Sequence, residues 1–139
     1  MTPTKFKFRA YDSQTQKFYY SDKMYTNHYF MFHDDTLNCF GEDYKCSPVE
    51  MFTGFLDEDE TEIYAGDIIS FRVDCFVVDW QYRGCVVFTG QRFQLWNKPD
   101  NEYYGSDGGF DLDWICYQDD TLKIVGNIHQ NPELIEEGK

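Results

Sequence analysis

Residues 53–69 read Thr53-Gly-Phe-Leu-Asp-Glu-Asp-Glu-Thr-Glu-Ile-Tyr-Ala-Gly-Asp-Ile-Ile69, and the fold turns on how that stretch is parsed. Pro48 restarts order after an irregular segment, and residues 49–55 suit a strand. Asp57 to Glu62 then place five carboxylates in six positions, the composition of a solvated turn. Beyond Gly66 the pattern is repeatedly β. Ile69, Phe71 and Val73 alternate with Ile68, Ser70 and Arg72, the two-residue period of a strand with one face inward. Residues 75–80 are nearly all apolar, as in a strand buried on both faces. Arg83-Gly84 and Thr89-Gly90 break the following run into strands at 85–88 and 93–96, and residues 98–109, rich in Asp, Asn and Gly, form a loop. Phe110, Leu112, Trp114 and Cys116 alternate with Asp111 and Asp113 as a further strand, and Leu122 and Ile124 alternate with Lys123 and Val125. Short strands at this spacing predict a small barrel or sandwich. At the end, Asn131 is a good N-cap, Pro132 suits the first helical position, and Glu133 favours the positive end of the helix dipole, so one short terminal helix is expected.

Upstream of the opening stretch, Phe6, Phe8 and Ala10 alternate with Lys5, Lys7 and Arg9, which predicts a half-buried strand with its cationic face outward. A polar turn over 12–16 returns the chain through Lys17-Phe-Tyr-Tyr20, completing a β-hairpin. Residues 21–47 are the least legible. The aromatic run 25–32 is neither alternating nor helical, and Asp34-Asp35, Asn38 and Gly41 interrupt it, so one irregular strand and a long loop are expected there.

Composition bounds the function classes. A chain of 139 residues forms one domain, or one with a small appended part, and folding at that size buries roughly 68% of the unfolded chain's surface. The aromatic fraction of 19% argues against disorder despite the charge. Lys and Arg number 12 against 25 Asp and Glu, a net charge of −13. Direct nucleic-acid binding is not expected, because phosphate neutralisation needs clustered cations, and anionic membranes are disfavoured for the same reason. The charge serves solubility, or, in a sharper reading, mimics nucleic acid against a basic groove. The chain opens without a basic, then apolar leader, and no apolar run approaches the roughly 20 residues that span a bilayer. Five cysteines, none in a C-x-x-C pair, read as reduced cytoplasmic thiols, with Cys75, Cys85 and Cys116 as small core residues.

Four blocks carry a resemblance: Lys5-Phe-Lys-Phe-Arg-Ala-Tyr-Asp12 with the Phe18-Tyr-Tyr20 return, Phe52-Thr-Gly54, Glu62-Ile-Tyr-Ala-Gly-Asp-Ile-Ile69, and Ile124-Val-Gly-Asn-Ile-His-Gln-Asn-Pro-Glu-Leu134. In order and spacing the chain resembles the YopX family of phage and prophage proteins. The resemblance implies a single mainly β domain over residues 1–139. An N-terminal hairpin and irregular segment would occupy 1–50, and a small SH3-like, barrel-like β part with a short C-terminal helix would occupy 51–139. It also implies a phage or prophage gene, action in the bacterial host cytoplasm, self-association, and no catalytic residue to carry over. Where the family shows an Asn-Gly-like turn, this chain has Asp59-Glu60. Glu takes positive φ at a cost, so a wider or less ordered loop than in relatives is expected.

No catalytic, cofactor or metal residue is assigned from the sequence. The acidic run 57–62 fails the calcium-loop pattern, since Thr61 and Glu62 fall at its fifth and sixth positions and the required Gly is missing. His28, His33, Cys39 and Cys46 have four, five and six residues between neighbours, which misses the zinc-finger spacings. His129 has no nucleophile placed beside it by a local motif, Gly105 to Gly109 lacks the strand–helix setting of a dinucleotide loop, and Asp111 with Asp113 reads as an exposed strand face. Tyr19, Tyr20, Tyr25 and Tyr29, with Tyr103 and Tyr104, suit an interface as well as ordinary strand packing. The leading expectation is a non-enzymatic phage accessory protein, a β-rich binding or assembly module that forms homo-oligomers or meets a host protein. The alternatives are an acidic mimic that inhibits a host DNA-binding or defence protein, and a hydrolase whose site is assembled only in the fold.

Overall fold

The structure, a computed structural model, describes residues 6–74, 79–89, 91–96 and 110–136. The chain is mainly β, with 53% strand and 9% helix, and divides into two compact units, Met1–Phe52 and Thr53–Lys139.

In the first unit, β1 (Phe8–Asp12) and β2 (Lys17–Tyr20) form the expected hairpin, with Arg9 opposite Tyr20 and Asp12 opposite Lys17. The cationic face does not point to solvent throughout. Arg9 is buried, its Nε 2.8 Å from Glu50 Oε1 and its guanidinium 4.1 Å from the Phe18 ring centroid. Pairing and stacking are what make a buried cation tolerable, and alternation alone does not announce them. The segment 21–47 departs further from expectation. β3 (Tyr29–His33) and β4 (Thr36–Phe40) make a second antiparallel hairpin, with Tyr29 opposite Phe40 and His33 opposite Thr36. Asp34 and Asp35, read as an interruption, are its two-residue turn, with φ of 54° and 63°. Positive φ at both central positions matches the twist of the flanking strands, and Asp tolerates it better than most residues. Ala10, Cys39 and Cys46 form the unit's buried cluster, packed by Tyr19, Phe30, Tyr44 and Val49.

β5 (Glu50–Leu56) spans the boundary between the units, pairing through Glu50 and Met51 with β1. In the second unit follow β6 (Glu62–Tyr64), β7 (Asp67–Asp74), β8 (Asp79–Thr89), β9 (Arg92–Trp96), β10 (Phe110–Asp111), α1 (Leu112–Gln118), β11 (Lys123–Asn127) and α2 (Glu133–Glu136). An antiparallel sheet in the order β10-β9-β8-β7-β11 curls into a half-barrel. The barrel-like expectation holds to that extent, and the finer SH3 assignment is not shown. Ile69, Phe71 and Val73 face the main core with Ile63, Val86, Leu95, Leu112, Ile115 and Leu122, while Ile68 turns the other way to meet Cys85 and Ile135 of α2. The alternation in β7 thus divides its side chains between two apolar clusters.

Two expectations in this unit are corrected. Arg83-Gly84 breaks no strand: β8 runs through both, and Gly84 sits buried opposite Ile69. The expected strand 110–116 is two residues of strand followed by helix α1. Leu112 and Ile115 recur at helical spacing and are both fully buried, while Tyr117 is exposed. The two-residue alternation and the helical period coincide over so short a run, and only burial separates them. The acidic loop is closed by paired backbone bonds: Asp57 N–H donates to Thr61 O and Glu60 N–H to Asp57 O, each at 2.9 Å. Glu60 itself takes the left-handed conformation, with φ 62°. The expected strand at 75–80 and the loop at 98–109 fall wholly or largely outside the described residues, as does Cys75. Among the described residues, no helix is long and apolar enough to cross a membrane.

Candidate functional site

Side chains with chemistry to offer converge at one place in the first unit. Asp12 closes β1 where the backbone turns, and its Oδ1 accepts the N–H groups of Gln14 at 2.8 Å and Thr15 at 3.3 Å. That local turn aims the other oxygen inward, where Oδ2 lies 2.7 Å from His28 Nε2 and accepts a hydrogen bond from the Tyr44 hydroxyl. All of this happens around a carboxylate that is only 1% exposed. Burial pushes the Asp12 carboxyl up, but the bonds from Tyr44, His28, Gln14 and Thr15 outweigh it and hold the group at about 2. The same short bond to Asp12 raises the Tyr44 phenol to about 12, so Tyr44 remains a donor.

Each partner is positioned by a separate device. The His28 ring stacks on Tyr19, with centroids 3.6 Å apart and planes 8° from parallel. Tyr25 packs edge-on to Tyr19 and accepts the Tyr20 N–H at its hydroxyl. Tyr44 reaches Asp12 because Gly41 lets its ring lie against the backbone, where a Cβ would sit 2.5 Å from Tyr44 Cζ. Beyond β4 the chain doubles back over 41–46, with Gly41 N–H donating to Tyr44 O and Cys46 N–H to Cys39 O. That return sets the Cys46 thiol beside Cys39 and brings it to the Asp12 and His28 donors. One ligand-type atom from each of Asp12, His28 and Cys46 lies within 4.8 Å of the other two, and all three residues are buried. Burial raises the Cys39 thiol to about 12 and the Cys46 thiol above its ordinary value. Neither is therefore poised as a thiolate nucleophile. The cluster is a buried set of oxygen, nitrogen and sulfur donors.

The residues singled out from the sequence distribute unevenly around this point. His28, Cys39 and Cys46 come together, but His33 stands exposed at the tip of the β3–β4 hairpin, 3.2 Å from Asp34. Asp12 and Tyr44 take its place, and no spacing motif pointed to them; the only signal was the position of Asp12 at the end of the first strand block. His129 lies in the turn after β11, its N–H donating to Asn127 Oδ1. Asp111 and Asp113 do not share a strand face: Asp111 pairs with Arg92 and Gln94, and Asp113 accepts the Trp114 N–H in the first turn of α1. In the acidic run Asp57 is buried and takes N–H groups from Asp59, Thr61 and Ile124, while Glu58, Asp59 and Glu60 are exposed. Tyr29 is exposed and stacks on Phe40. Gly105, Tyr103 and Tyr104 lie outside the described residues.

Comparison with known proteins agrees with the architecture. The family described as YopX protein matches residues 7–136, nearly the whole chain. The crystal structure of protein EF1440 from Enterococcus faecalis is similar at 20% identity and a TM-score of 0.54, covering 96% of this chain and 99% of that one. At that identity the likeness speaks for the fold alone. No curated protein matches the sequence.

Proposed function

The chain belongs to the YopX family, and from that premise we propose that it is a non-enzymatic phage or prophage accessory protein, a β-rich module that works by protein–protein contact in the bacterial cytoplasm, first of all with a second copy of itself. The observation that carries this reading is the β3–β4 hairpin. Tyr29, Met31 and Phe32 are 54%, 45% and 71% exposed. Among the described residues no third strand joins the pair. Unpaired strand edges with apolar side chains are templates for further pairing.

Charge argues for a copy of the same chain as partner. Within Tyr29–His33 and Thr36–Phe40 there is no Asp, Glu, Lys or Arg, although the chain carries a net charge of −13. Two such acidic molecules repel over most of their surface, and an uncharged apolar edge is where they can meet without bringing carboxylates together. Light scattering on the purified chain is expected to give an oligomer whose population grows with ionic strength, as screening weakens the remaining repulsion. Met31→Glu with Phe32→Glu is expected to return it to a folded monomer. A wild-type chain that stays strictly monomeric at high concentration would remove the self-association, and an oligomer unaffected by the double substitution would move it off this hairpin.

A further inference from the structure

Asp12, His28 and Cys46 arrive at one point from three segments: the end of β1, the chain before β3, and the return after β4. We propose that this point is a divalent metal site of the zinc type, ligated by the Asp12 carboxylate, the His28 imidazole and the Cys46 thiolate.

The geometry suits such an ion. Tetrahedral zinc with bonds of about 2.0–2.3 Å holds its ligand atoms roughly 3.3–3.8 Å apart. The three donors already lie inside a 4.8 Å envelope, so contraction by side-chain rotation is enough. The His28–Asp12 contact of 2.7 Å must open by about 0.6 Å on the same geometry, as the ion replaces the hydrogen bond. The surrounding contacts are those a ligated site needs. Gln14 and Thr15 N–H groups and the Tyr44 hydroxyl orient the carboxylate, and the Tyr19 stack fixes the imidazole plane. The Cys46 N–H bond to the Cys39 carbonyl, at 2.9 Å, fixes the return of the chain that carries the Cys46 thiol.

Donor chemistry narrows the ion. Calcium and magnesium take oxygen ligands and leave thiols alone. Sulfur with imidazole and carboxylate, in a closed buried site, is the preference of zinc, with cobalt as its spectroscopic substitute. Binding needs no redox partner. The Cys46 thiol releases its proton to solvent, the sulfur lone pair forms the metal bond, and uptake therefore weakens as pH falls.

The test uses the full chain, purified with its thiols reduced and free of metal. Titration with Co2+ is expected to saturate at one ion per chain, with thiolate-to-cobalt charge-transfer absorption and tetrahedral d–d bands, and Zn2+ is expected to displace it and raise the thermal midpoint. Cys46→Ser should lose the sulfur band and weaken binding at least tenfold. Asp12→Asn should weaken it while keeping the band, and His33→Ala should change neither. A wild-type chain with no stoichiometric uptake, or one that binds Co2+ without a sulfur band, overturns the proposal, and so does a band undiminished in folded Cys46→Ser. Should both ligand variants fail to fold, Cys75→Ser, Cys85→Ser and Cys116→Ser decide: a wild-type sulfur band kept in all three supports the proposal, and a band lost in any of them overturns it.

Discussion

Replacing Asp57 by Ala separates one buried carboxylate from three exposed neighbours of the same chemical type, Glu58, Asp59 and Glu60. Asp57 Oδ1 accepts the N–H groups of Asp59 and Thr61 at 2.9 Å each, and Oδ2 accepts that of Ile124 at 3.1 Å, 67 positions along the chain. It thereby ties the β5–β6 turn to β11. A hydrogen bond to a charged group contributes about 1.5–3 kcal/mol net. In Asp57→Ala the Asp59 and Thr61 N–H groups, in an exposed loop, recover much of their loss from water. The Ile124 N–H, in a half-buried strand position, recovers little. The sum is a loss of about 3–4 kcal/mol out of a total stability of roughly 5–15 kcal/mol. At about 4 °C per kcal/mol for a chain of this size, the thermal midpoint should fall by roughly 12–16 °C. Asp57→Asn keeps one acceptor and should cost about half as much. Glu58→Gln and Glu60→Gln, on exposed side chains, should stay within about 0.5 kcal/mol. Urea and thermal unfolding followed by circular dichroism measure all four. If Asp57→Ala unfolds within about 0.5 kcal/mol of wild type, or no differently from a matched change at Glu58, the inward assignment is wrong.

Glu60 holds φ at 62°, so Glu60→Gly should stabilise the chain by about 0.5–1 kcal/mol in urea unfolding, and a loss of stability there would contradict the tight turn. Asp119 supplies the pH dependence. Burial works against its charged form, but bonds from the Thr121 hydroxyl and N–H and from the Arg72 N–H outweigh it and lower its pKa. Its stabilising contribution is therefore complete above the unfolded value of about 3.9 and is lost as pH falls through the lower folded value. Urea midpoints measured from neutral pH downward should drop more steeply below about pH 4 in wild type than in Asp119→Asn, and parallel curves would refute that. Gly126 faces Asn131, whose Oδ1 accepts the Asn127 N–H at 3.2 Å and would lie 2.6 Å from an added Cβ. Gly126→Ala should cost about 1–2 kcal/mol in the same unfolding assay, while an unchanged midpoint would mean the turn after β11 yields freely.

Legibility followed the range of the physical signal. The hairpin over β1 and β2, strand β7 and helix α2 were readable because alternation, turn residues and capping act within a few residues. The β3–β4 hairpin used an equally local device, the Asp34-Asp35 turn, but without glycine it looked like an interruption. Helix α1 was misread because Leu112 and Cys116 satisfy either period, and the choice fell to the core that Leu112 and Ile115 enter.

The sequence by itself determined the β class, the family resemblance and the absence of a recognisable ligand spacing, all properties of neighbouring residues or of composition. Only the tertiary structure decided which of the carboxylates in 57–62 turns inward and which polar groups meet. Asp12 reaches His28 across 16 positions and Tyr44 across 32, and Asp57 reaches Ile124 across 67. A buried carboxylate has to find its hydrogen-bond partners wherever packing brings them, and contacts at such separations leave no periodicity in the chain from which to read them.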